Sequence, residues 1–170
     1  MSPSVELERL YDEHAQALYA FLLHLTRSEP DTHDLLQDLF VKLARHPNLL
    51  NDIRNERAFL LQMAHHAAID LSRRRQTRAQ HYDELEAELA TAIAPAADPD
   101  EQVFREVLSD ALAELPPDQR AVVHLKLWEG LTFEEIAEAL GVSPNTAASR
   151  YRYGIDKLRE RLRPLYDETQ

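Results

Sequence analysis

The stretch from Leu131 to Leu162, LTFEEIAEALGVSPNTAASRYRYGIDKLRERL, restricts the fold more tightly than any other part of the chain. Its spacing predicts two helices joined by a short turn. Thr132 with Glu135 three residues on forms a capping-box pattern, in which each side chain can satisfy the other's end of a helix start. Gly141 stops that first helix, because glycine enters the left-handed conformation after a last turn without a Cβ penalty. Ser143 then offers an acceptor to an orphan amide, and Pro144 suits the first helical position, where no donor is needed. The second helix is predicted from Pro144 to about Leu162.

That second helix has two unlike faces. At about 100° per residue, Ala147, Tyr151, Ile155, Leu158 and Leu162 fall on one stripe that must pack on something. Roughly opposite lie Asn145, Thr146, Ser149, Arg152 and Tyr153, with Arg150 on the flank. Short polar groups followed by arginine suit the major groove, since an Asn amide can pair with adenine and an Arg fork with guanine. A solvated face on an ordinary helical hairpin has the same composition. The short glycine-containing turn and the clean stripe favour nucleic acid.

A formal net charge of −11 opposes a nucleic-acid partner until its distribution is considered. Residues 1–80, 81–107 and 108–170 carry −1, −7 and −3, so most of the excess lies in the middle. Arg73, Arg74, Arg75 and Arg78 form a cluster without an acid, and Ser143 to Arg163 holds six basic residues against Asp156 and Glu160. The chain has no cysteine, which excludes disulfides and cysteine-held metals. Its acidic amphipathic start and the lack of a long apolar run predict neither a secretory signal nor a membrane span, and hence a cytoplasmic protein without membrane insertion.

Read in order, the chain is all-α. Val5 to Thr26 carries Leu7, Leu10, Tyr11, Leu18, Phe21, Leu22 and Leu25 at helical spacing. Ser28 to Asp31 starts a second helix, with acids where the helix dipole favours them, running to about Arg45 with Leu36, Leu39, Phe40 and Leu43 inward. A loop from His46 to Asn55 leads to a third helix from Glu56 to about Gln76, with Phe59, Leu60, Met63, Ala67 and Leu71 inward. His65 and His66 are expected to be one satisfied and one exposed histidine. From Arg78 to Pro99 the pattern gives way to acidic, Ala- and Pro-rich sequence, an expected flexible linker. Helices over Asp100–Leu115 and Asp118–Trp128 precede the helix-turn-helix, which gives two helical domains joined by an acidic tether.

Four stretches in this order carry a family likeness: DTHDLLQDLF, ERAFLLQMAHHAAIDLSRRR, ALAELPPDQRAVVHLKLWEGLTFEEIAEALGVS and NTAASRYRYGIDKLRERL. The chain resembles the extracytoplasmic-function sigma factors, the two-domain initiation subunits of bacterial RNA polymerase. The resemblance implies a core-polymerase-binding and −10-element-melting domain over 1–78, a linker over 79–106 and a −35-reading domain over 107–170. It gives Asp34, Leu35, Gln37, Asp38 and Val41 a core-polymerase contact. Four of them, Asp34, Gln37, Asp38 and Val41, share one helix face by their spacing, a pattern that a solvated acidic face also gives. It assigns the loop from His46 to Asn55 to capture of a flipped base, whose extrusion costs a few kcal/mol, and His66, Asp70, Arg73 and Arg74 to the −10 strand. Phe59 stands where the family commonly has Trp, and His66 where it commonly has Asn. The first exchange keeps an aromatic ring and the second changes a hydrogen-bonding group. Asn145, Thr146, Ser149, Arg150, Arg152 and Tyr153 would read the −35 element. The tether would thread the positive product channel of the polymerase, although a plain solubilising linker has the same composition. The expected partners are core RNA polymerase, promoter DNA and an anti-sigma factor, with no cofactor.

Two other classes compete. A stand-alone helix-turn-helix regulator would bind DNA by itself and would leave the arginine cluster and the Asp-rich motif unexplained. A helical hydrolase using the eight histidines lacks HExxH, a repeated metal-ligand spacing and a Gly-rich phosphate loop, so the chain is not expected to be an enzyme. His33 between Asp31 and Asp34 is read as a surface histidine rather than a metal ligand.

Overall fold

The computed structural model describes residues 2–78 and 98–168, all-α with no strand among them. Seven helices follow in order: α1 (Pro3–Thr26), α2 (Glu29–Arg45), α3 (Glu56–Arg78), α4 (Pro99–Glu114), α5 (Pro117–Leu127), α6 (Phe133–Leu140) and α7 (Pro144–Glu168), with a 3-10 turn over Pro47–Leu50 before α3. The tether centred on residues 79–97 lies outside the described residues. Residues 99–106, counted with it above, are the first half of α4.

Local chemistry sets the helix starts. Ser28 Oγ accepts the Asp31 amide, Asn55 Oδ1 the Ala58 amide at 3.0 Å, and Asp98 Oδ1 the Asp100 amide at 3.0 Å. The Thr132–Glu135 capping box forms in both directions, at 3.2 and 3.3 Å, and Gly141 closes α6 at φ 68°. Ser143 Oγ accepts the Thr146 amide at 3.1 Å and so opens α7. That helix runs past Pro164 to Glu168, six residues beyond the expected end. A proline removes one donor, and here the ladder resumes after it with Leu162 buried and Leu165 half-buried.

The two expected domains share a core. Leu10, Leu18, Phe21 and Leu22 of α1 pack with Leu36, Leu39 and Leu43 of α2 and with Leu60, Leu61 and Ala64 of α3. The same cluster continues into Val122 and Leu125 of α5, Ile136 and Leu140 of α6 and Ala147 of α7. Each such large side chain contributes roughly 1.5–3 kcal/mol when fully buried, before the entropy of ordering it. Helix α3 lies at the junction, against α1 and α2 on one side and α6 on the other. It therefore buries Leu61, Ala64 and Ala68 as well as Leu60. A second cluster of Ala111, Leu112, Leu115, Val123 and Leu158 joins α4, α5 and α7. Tyr11, expected in the core, is 51% exposed, its ring edge-on to Phe40 at 5.0 Å between centroids.

Candidate nucleic-acid interface

Three exposed faces hold the residues singled out above. On α2, Asp34, Gln37, Asp38 and Val41 are exposed on one side. Leu35 is not part of that face. At 7% exposure it belongs to the core behind it, so it can shape the face but not present itself to a partner. His33 is exposed with its ring against Tyr19, 5.1 Å between centroids.

On α3, His66, Asp70, Arg73 and Arg74 all lie on the outer side and are exposed. Arg75, next in the cluster, turns back to an ion pair with Asp31 at the start of α2. His65 points the other way. It is 7% exposed, its Nδ1 has no hydrogen-bond partner, and burial pushes its pKa down although Asp118 opposes the shift. The expectation of one buried and one exposed histidine holds in placement. It fails in satisfaction, because His65 Nδ1 is buried without a hydrogen-bond partner.

On α7, Asn145, Arg152 and Tyr153 are exposed, while Thr146, Ser149 and Arg150 are half-buried. Arg152 lies over the ring of Tyr153, 5.6 Å from its centroid. The Thr146 hydroxyl is engaged by Ser143 Oγ at 2.9 Å, so it is part of the cap as well as of the outer face. Arg150 leans toward Asp118 of α5 at 3.7 Å. The end of α6, just before the turn into α7, is close to α3: a Cβ added to Gly141 would lie 3.8 Å from Gln62 Nε2.

That proximity belongs to a contact between the halves which local sequence pattern did not reveal. Arg57 of α3 donates through Nη2 to the Glu129 carboxylate and backbone carbonyl, both at 2.8 Å. The His124 imidazole, 3.7 Å away, and the Arg57 guanidinium hold the Glu129 carboxyl below its ordinary range. His24 at the end of α1 and His124 in α5 meet through their Nδ1 atoms, and the His124 ring stacks on Trp128 at 5.6 Å. Burial, with His124 and Arg120 adding like charge, pushes His24 down to about 3. Arg120 is 9% exposed and gives all its donors to carbonyls. Three belong to Leu112, Ala113 and Leu115 around the end of α4, and two to His24 and Leu25 in the last turn of α1. The negative ends of two helix dipoles thus face one guanidinium. No spacing rule links positions about a hundred residues apart, so His24 and His124 looked like scattered histidines.

The description Sigma-70 region 2 matches residues 10–78, and Sigma-70, region 4 matches residues 105–158. The ECF RNA polymerase sigma factor SigL of Mycobacterium tuberculosis is 31% identical over 164 residues, spanning 94% of this chain and 90% of that one. The RNA polymerase sigma factor CarQ of Myxococcus xanthus is 35% identical over 160 residues, spanning 93% and 90%. Among solved structures, the sigma factor RpoE in complex with the anti-sigma factor NepR from Bartonella quintana superposes with a TM-score of 0.77 at 25% identity, covering 93% of this chain and 97% of that one. CnrH in complex with the cytosolic domain of CnrY follows at 0.68 and 22%, covering 93% and 88%, a likeness of fold.

Proposed function

The chain belongs to the sigma-70 family, in its extracytoplasmic-function (ECF) branch, and from that premise we propose how its surfaces divide the work of initiation. It is an alternative sigma factor that binds core RNA polymerase and directs transcription from particular promoters. In this reading residues 1–78 form the polymerase-binding and −10-melting part, and the helices from α4 onward read the −35 element. Asp34, Gln37, Asp38 and Val41 meet the polymerase, backed by Leu35. His66, Asp70, Arg73 and Arg74 contact the −10 strand, and the outer face of α7 enters the major groove upstream. The protein acts in the cytoplasm as an initiation factor without chemistry of its own, and an anti-sigma protein is a further partner.

One observation carries this division. The two family regions fall on the two groups of helices, and each group turns outward a polar face containing arginine, on α3 and on α7. Phosphate contacts from such faces supply affinity, and base contacts supply choice.

The decisive experiment is capture of core polymerase followed by run-off transcription. Charge reversal with Asp34→Lys and Asp38→Lys is expected to weaken capture at least tenfold, with helicity unchanged in the far ultraviolet. Undiminished capture by the double variant would remove α2 from the polymerase interface. Tight, sequence-specific promoter binding by the protein alone, with no dependence on polymerase, would favour the stand-alone regulator.

A further inference from the structure

Between the end of α1 and the helices α4 and α5 lies a groove of about 630 Å³, within the range of small-molecule sites. Leu23, Phe104, Leu108 and Trp128 make much of its wall apolar. Its charge is opposite to that of the chain. Arg27, Arg105 and Arg120 line it, and Glu101, the one carboxylate in its wall among the described residues, is already bonded to Arg105 at 2.6 Å. Arg120 spends its donors on neutral carbonyls, so no carboxylate among the described residues offsets its charge. Arg27 caps α1 at φ 58°, and its Nε is buried without a hydrogen-bond partner. Burial and then the nearby Arg27 charge pull Arg120 down to about 10.

Guanidinium groups beside an apolar wall, with the neighbouring carboxylate already paired, form an arrangement whose charge an anion balances. A carboxylate in the groove brings negative charge beside the Arg27 and Arg120 guanidinium groups that line it. Inorganic phosphate would match the charge and leave the apolar wall bare, and a neutral alkyl chain would cover the wall and leave the positive charge unbalanced. We propose that this groove binds an amphipathic monocarboxylate, with its carboxylate at Arg27 and its aliphatic or aromatic body along Leu23, Phe104, Leu108 and Trp128. The walls come from both halves of the chain, so an occupant favours the closed arrangement over an open one. Only that consequence for transcription rests on the sigma-factor reading; binding itself does not.

Trp128 is the single tryptophan of the chain, 46% exposed, and reports directly on the groove. Its fluorescence is followed while the full-length protein is titrated with decanoate, decan-1-ol or inorganic phosphate, below micellar concentrations. Decanoate is expected to saturate at about a tenfold lower concentration than decan-1-ol, the scale of one charge-assisted hydrogen bond, and phosphate is expected to give no change. Arg27→Gln should bring decanoate to the level of decan-1-ol, and Arg27→Lys should recover part of the difference. Equal affinity for the acid and the alcohol in the unaltered protein would overturn the proposal without recourse to any variant. So would a decanoate titration that Arg27→Gln leaves unchanged while far-ultraviolet helicity is retained.

Discussion

Gly154 lies in the middle of α7 with ordinary helical geometry, so a turn does not explain it. The reason is space: a Cβ at this position would come within 2.7 Å of Val123 Cγ2 on α5. In an exposed helix, Gly→Ala gains about 1 kcal/mol. Here overpacking costs typically 1–3 kcal/mol, because the contact is to a fully buried β-branched side chain that cannot swing away. Gly154→Ala is therefore expected to lower the thermal midpoint by a few degrees, and Val123→Ala should reduce that loss when the two are combined. A midpoint raised by Gly154→Ala alone would show that the helices part without cost. Along the sequence this glycine resembled any mid-helix glycine, since the crowding atom belongs to a helix about thirty residues earlier. Gly141, by contrast, was legible, because its left-handed φ of 68° follows from the helix end it closes.

Helices announced themselves wherever their ends were made by neighbours in sequence. The Thr132–Glu135 box, the Ser143 cap and the Ser28 cap are all contacts within a few residues, and all three form. Helix α3 shows where such reading stops. Of its expected inward residues only Leu60 is buried, while Phe59, Met63, Ala67 and Leu71 are half-buried; Ala58, Leu61, Ala64 and Ala68 are buried instead, on a helix that packs against α6 as well as α1 and α2. A helix covered on both sides loses the amphipathic contrast that a period search depends on. On α7 the outer face was legible in composition, and the structure divides it. Asn145, Arg152 and Tyr153 are exposed near the helix start, whereas Arg161 lies several turns later in an ion pair with Glu114 of α4. A recognition helix presents its first turns to base edges and its later turns at most to phosphate. Arg152→Ala, assayed in reconstituted holoenzyme on a library of upstream elements, should cost about 1–3 kcal/mol and do so unequally across sequences. Arg161→Ala should lower all sequences alike by a small amount. A uniform loss from the first and an altered preference from the second would reverse the orientation given to this helix.

The two halves, which sequence alone presents as separate domains, close on each other through a shared core and through polar contacts that include Arg57 with Glu129, Arg120 with the last turn of α1, and His24 with His124. In this arrangement the end of α6 sits beside α3, and on α7 Thr146, Ser149 and Arg150 are half-buried. The closed contact also carries a pH dependence whose sign is fixed by its groups. His24 is held down to about 3 by burial, then by His124 and Arg120, while the acid nearest the pair, Glu129, lies 3.7 Å from the far side of His124. Opened to water, His24 returns to the ordinary histidine value of about 6.5. The open form then binds the proton that the closed form refuses, so stability of the closed contact is full above about 6.5 and is lost as pH falls toward 3. Linkage gives about a tenfold shift toward the open form between pH 7.5 and 5.5. That factor depends little on how far below 5 the closed value lies. The chain has no cysteine, so dyes can be placed at Asn48→Cys and Glu160→Cys, both exposed, one in each half. Energy transfer at nanomolar concentration avoids association near the isoelectric point of about 5.1. Transfer is expected to fall between pH 7.5 and 5.5 with helicity unchanged, and His24→Asn, which keeps a polar atom at that position but does not titrate, should flatten the response. If transfer stayed constant, or if His24→Asn opened along the same curve, protonation of His24 would not be what parts the halves.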